Sequence, residues 1–169
     1  IGGQARAMVV TSGIERAIQY FHAIRDYLGE RKSPYRAIVA FSGEHDYGGA
    51  QVTEASLNGF PSSKITNEIQ EDPYRFLVCA DKFQTGYDEP LLHTMYVDKV
   101  LSGIKAVQTL SRLNRARPQK HDTFVLDFML FTIIPTLLEI AVVAAILWGM
   151  FDVSFAAVTL GTIAVYIAF

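Results

Sequence analysis

The strongest constraint in this sequence is a break in its charge pattern: all 15 lysines and arginines lie at or before Lys120, and residues 129–169 contain none. Those 41 residues carry two charges, Glu139 and Asp152, and 31 of them are apolar, against about 45–50% in an ordinary globular domain. The chain therefore reads as two compositions joined end to end. The first 128 residues hold 15 basic and 15 acidic side chains; the remainder holds none and two. A formal charge of −2 over 169 residues excludes a polyanion-binding tail or a solvating acidic segment. Neutrality of the first part also argues against strong autonomous DNA binding, because nonspecific affinity scales with the number of phosphates neutralised.

Within the first 128 residues, apolar runs alternate with helical periodicity. Ala7, Met8, Val9 and Val10 form a short strand closed by Thr11 and Ser12, and Ile14, Ile18, Phe21, Ile24 and Leu28 then recur at helical spacing. A second strand covers residues 37–41, uniformly apolar as a strand covered on both faces must be, and a polar, glycine-containing stretch follows to about Ser63. Further strands are expected at 76–80, 94–97 and 123–126, with a helix near 103–113. This order predicts an α/β fold, a parallel sheet with helices on both faces. Such sheets bind ligands beyond the carboxyl ends of their strands. That directs attention to Thr11 and Ser12, Ser42 and Gly43, residues 81–88, and the helix carrying Gln108, Arg112 and Arg115.

Several functions are excluded by what the sequence lacks. No G-x-x-x-x-G-K-[ST] occurs, so no P-loop cradles nucleotide phosphates, and no G-x-G-x-x-G supports dinucleotide binding. An ATP-dependent activity is therefore incomplete in this chain. Glu30, Arg31 and Lys32 have the E-x-K spacing of a metal-dependent nuclease but close a helix without an acidic partner on a strand. His22, His45, His93 and His121 lack metal-ligand spacing, and no metal site is expected. The single cysteine, Cys79, lies in an apolar run and reads as core. The first thirty residues show no basic stretch leading into an apolar one, so no secretory leader is expected.

What remains is a cationic pair. Arg112 and Arg115 are three residues apart, which on a helix places them on one face, and Gln108, four residues before Arg112, extends the stripe. The words around them are specific. Residues 76–99, FLVCADKFQTGYDEPLLHTMYVDK, followed by residues 106–115, AVQTLSRLNR, resemble motifs V and VI of the motor (R) subunit of type I restriction enzymes. Residues 7–12 resemble motif IV of the same domain. Residues 40–43 with Thr53, Glu54 and Ala55 and with Leu57, Asn58, Gly59 and Phe60 resemble a segment typical of these subunits.

The resemblance covers about residues 3–128 and implies the second RecA-like, helicase C-terminal domain of a superfamily 2 DNA translocase. It further implies that Arg115 is the arginine finger reaching the γ-phosphate, Arg112 a neighbouring phosphate ligand and Gln108 their positioner. A fixed guanidinium placed where phosphoryl charge develops is what this chemistry needs. By the same resemblance, Gly86 and Asp88 couple nucleotide state to DNA. Thr11, Ser12 and Thr85 then hydrogen-bond the DNA backbone without reading sequence. ATP and Mg2+ enter only if a partner or another domain supplies the P-loop, so neither hydrolysis nor translocation is expected of this chain alone. The implied partners are duplex DNA and the methylase and specificity subunits of a type I restriction complex.

The apolar part predicts something else. Residues 128–150 form an apolar stretch interrupted by Thr132, Pro135, Thr136, Glu139 and Gly149, long enough to cross a bilayer at about 1.5 Å per residue. A polar break at 151–154 precedes a second apolar arm, 155–169, giving a transmembrane-type helical hairpin whose second arm is short. The basic residues before the first arm would keep the N-terminal part cytoplasmic. Residues 130–140 with Ile146, Leu147, Trp148 and Gly149 resemble the third transmembrane helix of ABC exporters of the iron–sulfur and heavy-metal type. Alternative readings are thus an exporter fragment or a membrane-tethered nucleic-acid-binding module. The composite expectation is an incomplete motor domain over 1–128 and a membrane-type hairpin over 129–169.

Overall fold

The computed structural model describes residues 3–83, 87–118, 120–150, 158 and 160–165. The chain divides into two compact units, Ile1–Phe128 and Met129–Phe169. The first is α/β, built on a five-stranded sheet. Its strands are β1 (Arg6–Thr11), β2 (Arg36–Ala40), β5 (Tyr74–Cys79), β6 (Leu92–Asp98) and β7 (Phe124–Asp127); they lie in the order β2-β5-β1-β6-β7, and every pairing among them is parallel. Central β1 sets Met8 opposite Leu77 on one side and Met95 on the other, and Val10 opposite Cys79 and Val97.

Because side chains alternate across a strand, the uniformly apolar runs feed two cores at once. One face gathers Met8, Val10, Ile38, Ala40, Leu77, Cys79, Met95 and Val97 under Ile65, Ile69 and Leu113. The other gathers Val9, Val39 and Val78 against Ala17, Ile18 and Phe21 of α1 (Ile14–Glu30). Each fully buried leucine, isoleucine or valine side chain contributes about 1.5–3 kcal/mol relative to exposure. Burial pushes the Cys79 thiol up to about 12, so it stays a protonated core side chain.

The stretch between β2 and β5 holds more structure than its polar sequence suggests. Two short strands, β3 (His45–Tyr47) and β4 (Ala50–Val52), pair antiparallel about Gly48 and Gly49, both at positive φ, the backbone a tight two-residue hairpin turn needs. Thr53 caps α2 (Glu54–Asn58): its side chain accepts from the Ser56 N–H while Ser56 answers at the Thr53 N–H, and Gly59 ends the helix in the left-handed region. A 3-10 turn at Ser62–Lys64 leads into α3 (Ile65–Glu68), whose Ile65 helps seal the first core.

Two sequence expectations need correction. The helix expected at 103–113 is α4 (Gly103–Leu110), which tightens into a 3-10 turn at Ser111–Asn114; Arg115 follows in extended backbone at φ −69 and ψ 122. Arg112 and Arg115 therefore do not share the face of one α-helix. The first apolar arm is a single helix, α5 (Phe128–Met150), but among the described residues no helix is long and apolar enough to cross a membrane. The membrane-type hairpin and the exporter likeness thus gain no support. The polar break at 151–154 lies outside the described residues.

Candidate functional site

The carboxyl ends of β1 and β2 lead into Thr11 and Ser12 and into Ser42 and Gly43, and Asp81 follows the end of β5. β1 ends at Thr11, fully buried, whose hydroxyl donates to the Gly13 carbonyl at 2.9 Å with the Cys79 carbonyl at 3.3 Å. Thr11 therefore orders the turn into α1 and links it to β5, rather than presenting a donor to solvent. Ser12, the next residue, is exposed. At the end of β2, the Phe41 N–H donates at 3.0 Å to Glu54, a carboxylate only 4% exposed. The other oxygen of Glu54 is ion-paired with Lys82, just beyond β5. One buried carboxylate thus connects the exits of two neighbouring strands. Lys99, after β6, pairs with Asp81 at 3.0 Å, tying a third exit to the same edge.

The segment from Tyr87 to Leu91 is held against the turn that follows α4. The Arg112 guanidinium donates to the Tyr87 carbonyl at 2.8 Å, and Arg115 Nε lies 3.0 Å from Asp88 Oδ1. The structure therefore brings together three of the predicted residues, Arg112, Arg115 and Asp88, although the helical stripe expected to align the arginines is absent. Gln108 is exposed on α4, and its backbone carbonyl accepts from the Ser111 hydroxyl at 3.0 Å. Thr85 and Gly86 lie outside the described residues. Arg115 and Asp88 are 48% and 65% exposed, so their pair contributes at most about 1 kcal/mol to stability. Its value is geometric: it aims a permanently charged, planar donor group outward beside the loop that carries Asp88.

Sequence reasoning missed three residues that shape this site. Tyr87 is buried, with its ring 5.2 Å from that of Phe83 and its hydroxyl pKa raised by burial. Lys120 donates to the carbonyls of Leu113 at 2.6 Å, Arg115 at 3.2 Å and Pro90 at 3.3 Å. Glu89 is 3% exposed; one oxygen accepts from the Leu91 N–H at 2.8 Å, while the other has no partner among the described residues. Burial raises the Glu89 pKa, opposed by the Leu91 N–H and by Arg117. A carboxyl raised on folding binds protons more readily folded than unfolded, so its charge opposes folding above the folded pKa, and that opposition fades as pH falls. Glu89→Gln should therefore raise the urea midpoint more at pH 8 than at pH 5. A gap between variant and parent that is the same at both pH values would show that the Glu89 charge does not oppose folding.

The described residues supply cationic donors suited to phosphate oxygens. Among them, no three His, Cys, Asp or Glu side chains gather to hold a metal ion. The arrangement offers guanidinium charge positioned by backbone and carboxylate contacts, able to stabilise an anion brought to it.

Comparison with known proteins places the sequence beside one family of endonuclease subunits. Residues 62–129 match the family model of the type I restriction enzyme subunit R domain 3-like segment. The putative type I restriction enzyme MjaVIIP endonuclease subunit of Methanocaldococcus jannaschii is 28% identical over 137 residues, covering 72% of this chain and 13% of that protein. The HindI endonuclease subunit of Haemophilus influenzae is 37% identical over 49 residues, 29% of this chain and 5% of its own length. The putative MjaIXP endonuclease subunit of M. jannaschii is 30% identical over 59 residues, 35% and 6% respectively. The chain spans about an eighth or less of the curated relatives it matches. This chain is thus similar to a segment of the endonuclease subunits of type I restriction enzymes, with the family-model match at residues 62–129.

Proposed function

We propose that residues 1–128 are the second RecA-like half of the DNA-translocating motor of a type I restriction endonuclease subunit. The observation that carries this reading is the junction of Tyr87 and Asp88 with Arg112 and Arg115, which unites the two sequence runs most like that family in one place. In this reading Arg115 is the arginine finger, Arg112 a second phosphate ligand and Gln108 the residue that positions the pair. Asp88, with Gly86, couples nucleotide state to DNA. Ser12 and Thr85 contact the DNA backbone, and Thr11 holds the turn that presents Ser12. ATP and Mg2+ are bound by a P-loop domain that this sequence does not contain, and methylase and specificity subunits supply target recognition.

The reading is tested by assaying ATP turnover of the full chain alone, then mixed with a P-loop-bearing first motor domain of a type I endonuclease subunit, with and without duplex DNA. The expected result is no turnover alone and DNA-stimulated turnover in the mixture. Turnover by the chain alone, or none in the mixture, overturns it.

A further inference from the structure

The arginine assigned to the reaction is not held by a helix. The 3-10 turn ends at Asn114, and Arg115 is extended, so its carbonyl has no helical partner; the Leu113 carbonyl, near the end of the same turn, has none further along the helix either. Both are taken up by one side chain. The backbone turns at Arg117, whose carbonyl accepts from the Lys120 N–H at 3.1 Å. That turn returns the Lys120 ammonium to within 2.6 Å of the Leu113 carbonyl and 3.2 Å of the Arg115 carbonyl. The third donor of the same ammonium reaches the Pro90 carbonyl at 3.3 Å, two residues beyond Asp88. An ammonium has three donors, and here all three are spent on backbone carbonyls from the two segments that bear Arg115 and Asp88.

We propose that Lys120 is the positioning residue of the arginine finger: by drawing together the carbonyls of Leu113, Arg115 and Pro90, it fixes the backbone from which Arg115 and Asp88 project. The inference rests on the reading of Arg115 given above. A cation at the end of a helical turn is favoured by the negative pole of the aligned peptides, and its partial removal from water, which lowers the Lys120 pKa against the pull of Glu89, strengthens each contact. Because the Arg115–Asp88 pair is largely exposed, it cannot by itself define where the guanidinium sits; the backbone beneath it must. Displacement of a catalytic group by about 1 Å costs on the order of 100-fold in rate, and loss of an interaction made only in the transition state lowers kcat and kcat/KM together, with KM unchanged.

The test is a double-mutant cycle in the full chain mixed with the P-loop-bearing domain, duplex DNA and Mg-ATP. Lys120→Met should lower kcat roughly 10- to 100-fold with KM for ATP changed less than about twofold. Lys120→Arg, which keeps the charge and several donors, should recover most of the loss. The double variant Lys120→Met/Arg115→Ala should be no slower than Arg115→Ala alone, because a residue that acts only through Arg115 has nothing left to act on. Losses that multiply in the double variant, or a KM rise matching the kcat fall, overturn the positioning role. An Arg115→Ala variant with unchanged turnover instead overturns the arginine-finger reading itself, so the two failures are distinguishable. Circular dichroism melting of each variant guards against misfolding. A Lys120→Met chain that unfolds while Lys120→Arg does not, with kcat of the folded fraction unchanged, also overturns the proposal.

Discussion

Replacing Arg115 by alanine is expected to lower DNA-stimulated ATP turnover of the reconstituted motor by about 10³-fold or more, the scale associated with an arginine finger in phosphoryl transfer. The folded state should scarcely change, because the ion pair lost with Asp88 is exposed on both sides and contributes at most about 1 kcal/mol. Activity and stability therefore separate at this residue. Arg115→Lys should fall close to alanine, since an ammonium on a flexible stem does not reproduce the planar fork that bridges phosphate oxygens. Steady-state turnover at saturating ATP and DNA, with urea denaturation of the same samples, decides it. A loss below tenfold, or a loss tracking a lowered urea midpoint, would remove Arg115 from the chemistry. Arg112 is a useful contrast: its guanidinium is committed to the Tyr87 carbonyl at 2.8 Å, so its replacement disturbs the loop as well as the charge.

The sheet was legible in the sequence wherever a strand is buried on both faces. Residues 7–10, 37–40 and 76–79 are continuous apolar runs, and the structure pairs them as the three adjacent strands β1, β2 and β5. The hairpin at 45–52 was hidden because each of its three-residue strands sets a single hydrophobic side chain, Tyr47 or Val52, against the core, too little to show a period. Its one local signal was the Gly48–Gly49 pair, and Thr53, Ser56 and Gly59 likewise spelled out both ends of α2. The early end of α4 could not be read. Ser111, Arg112, Leu113 and Asn114 contain neither glycine nor proline, and the tightening into a 3-10 turn accompanies burial of Leu113 in the core, a tertiary effect that outweighs propensity.

The site was legible only through its resemblance to a family, and then only in part. Spacing alone aligned Arg112 with Arg115 on a helix that does not extend that far, yet the contacts with Tyr87 and Asp88 bring both to one place. Thr11 shows the opposite outcome: a motif position whose side chain is spent inside the protein. Lys120 carried no signal at all, because its partners are backbone carbonyls, which every residue has and no pattern marks. Buried ionic side chains share this invisibility, since their partners lie far off in sequence.

Glu54 is the clearest example and yields the largest stability prediction. Its carboxylate lies 28 residues from Lys82 in sequence, is 4% exposed, and accepts from the Phe41 N–H while pairing with the Lys82 ammonium. Glu54→Ala leaves a buried N–H without an acceptor, at about 1–3 kcal/mol, and a lysine that can rehydrate; the expected total is about 2–4 kcal/mol by urea denaturation at pH 7. Lys82→Met should cost about as much for a different reason: it strands a buried negative charge, whereas Lys82 itself is 28% exposed and survives the loss of its partner. The asymmetry gives a sharp check. Adding Glu54→Gln to the Lys82→Met chain removes the stranded charge and retains an acceptor for Phe41, so it should restore stability rather than reduce it further. Additive losses in that double variant would mean that the carboxylate charge is not what Lys82 neutralises. Hydrogen exchange at the Phe41 amide reports the same event locally: exchange should accelerate in Glu54→Ala and remain slow in Glu54→Gln, because only the first removes the oxygen that holds the end of β2.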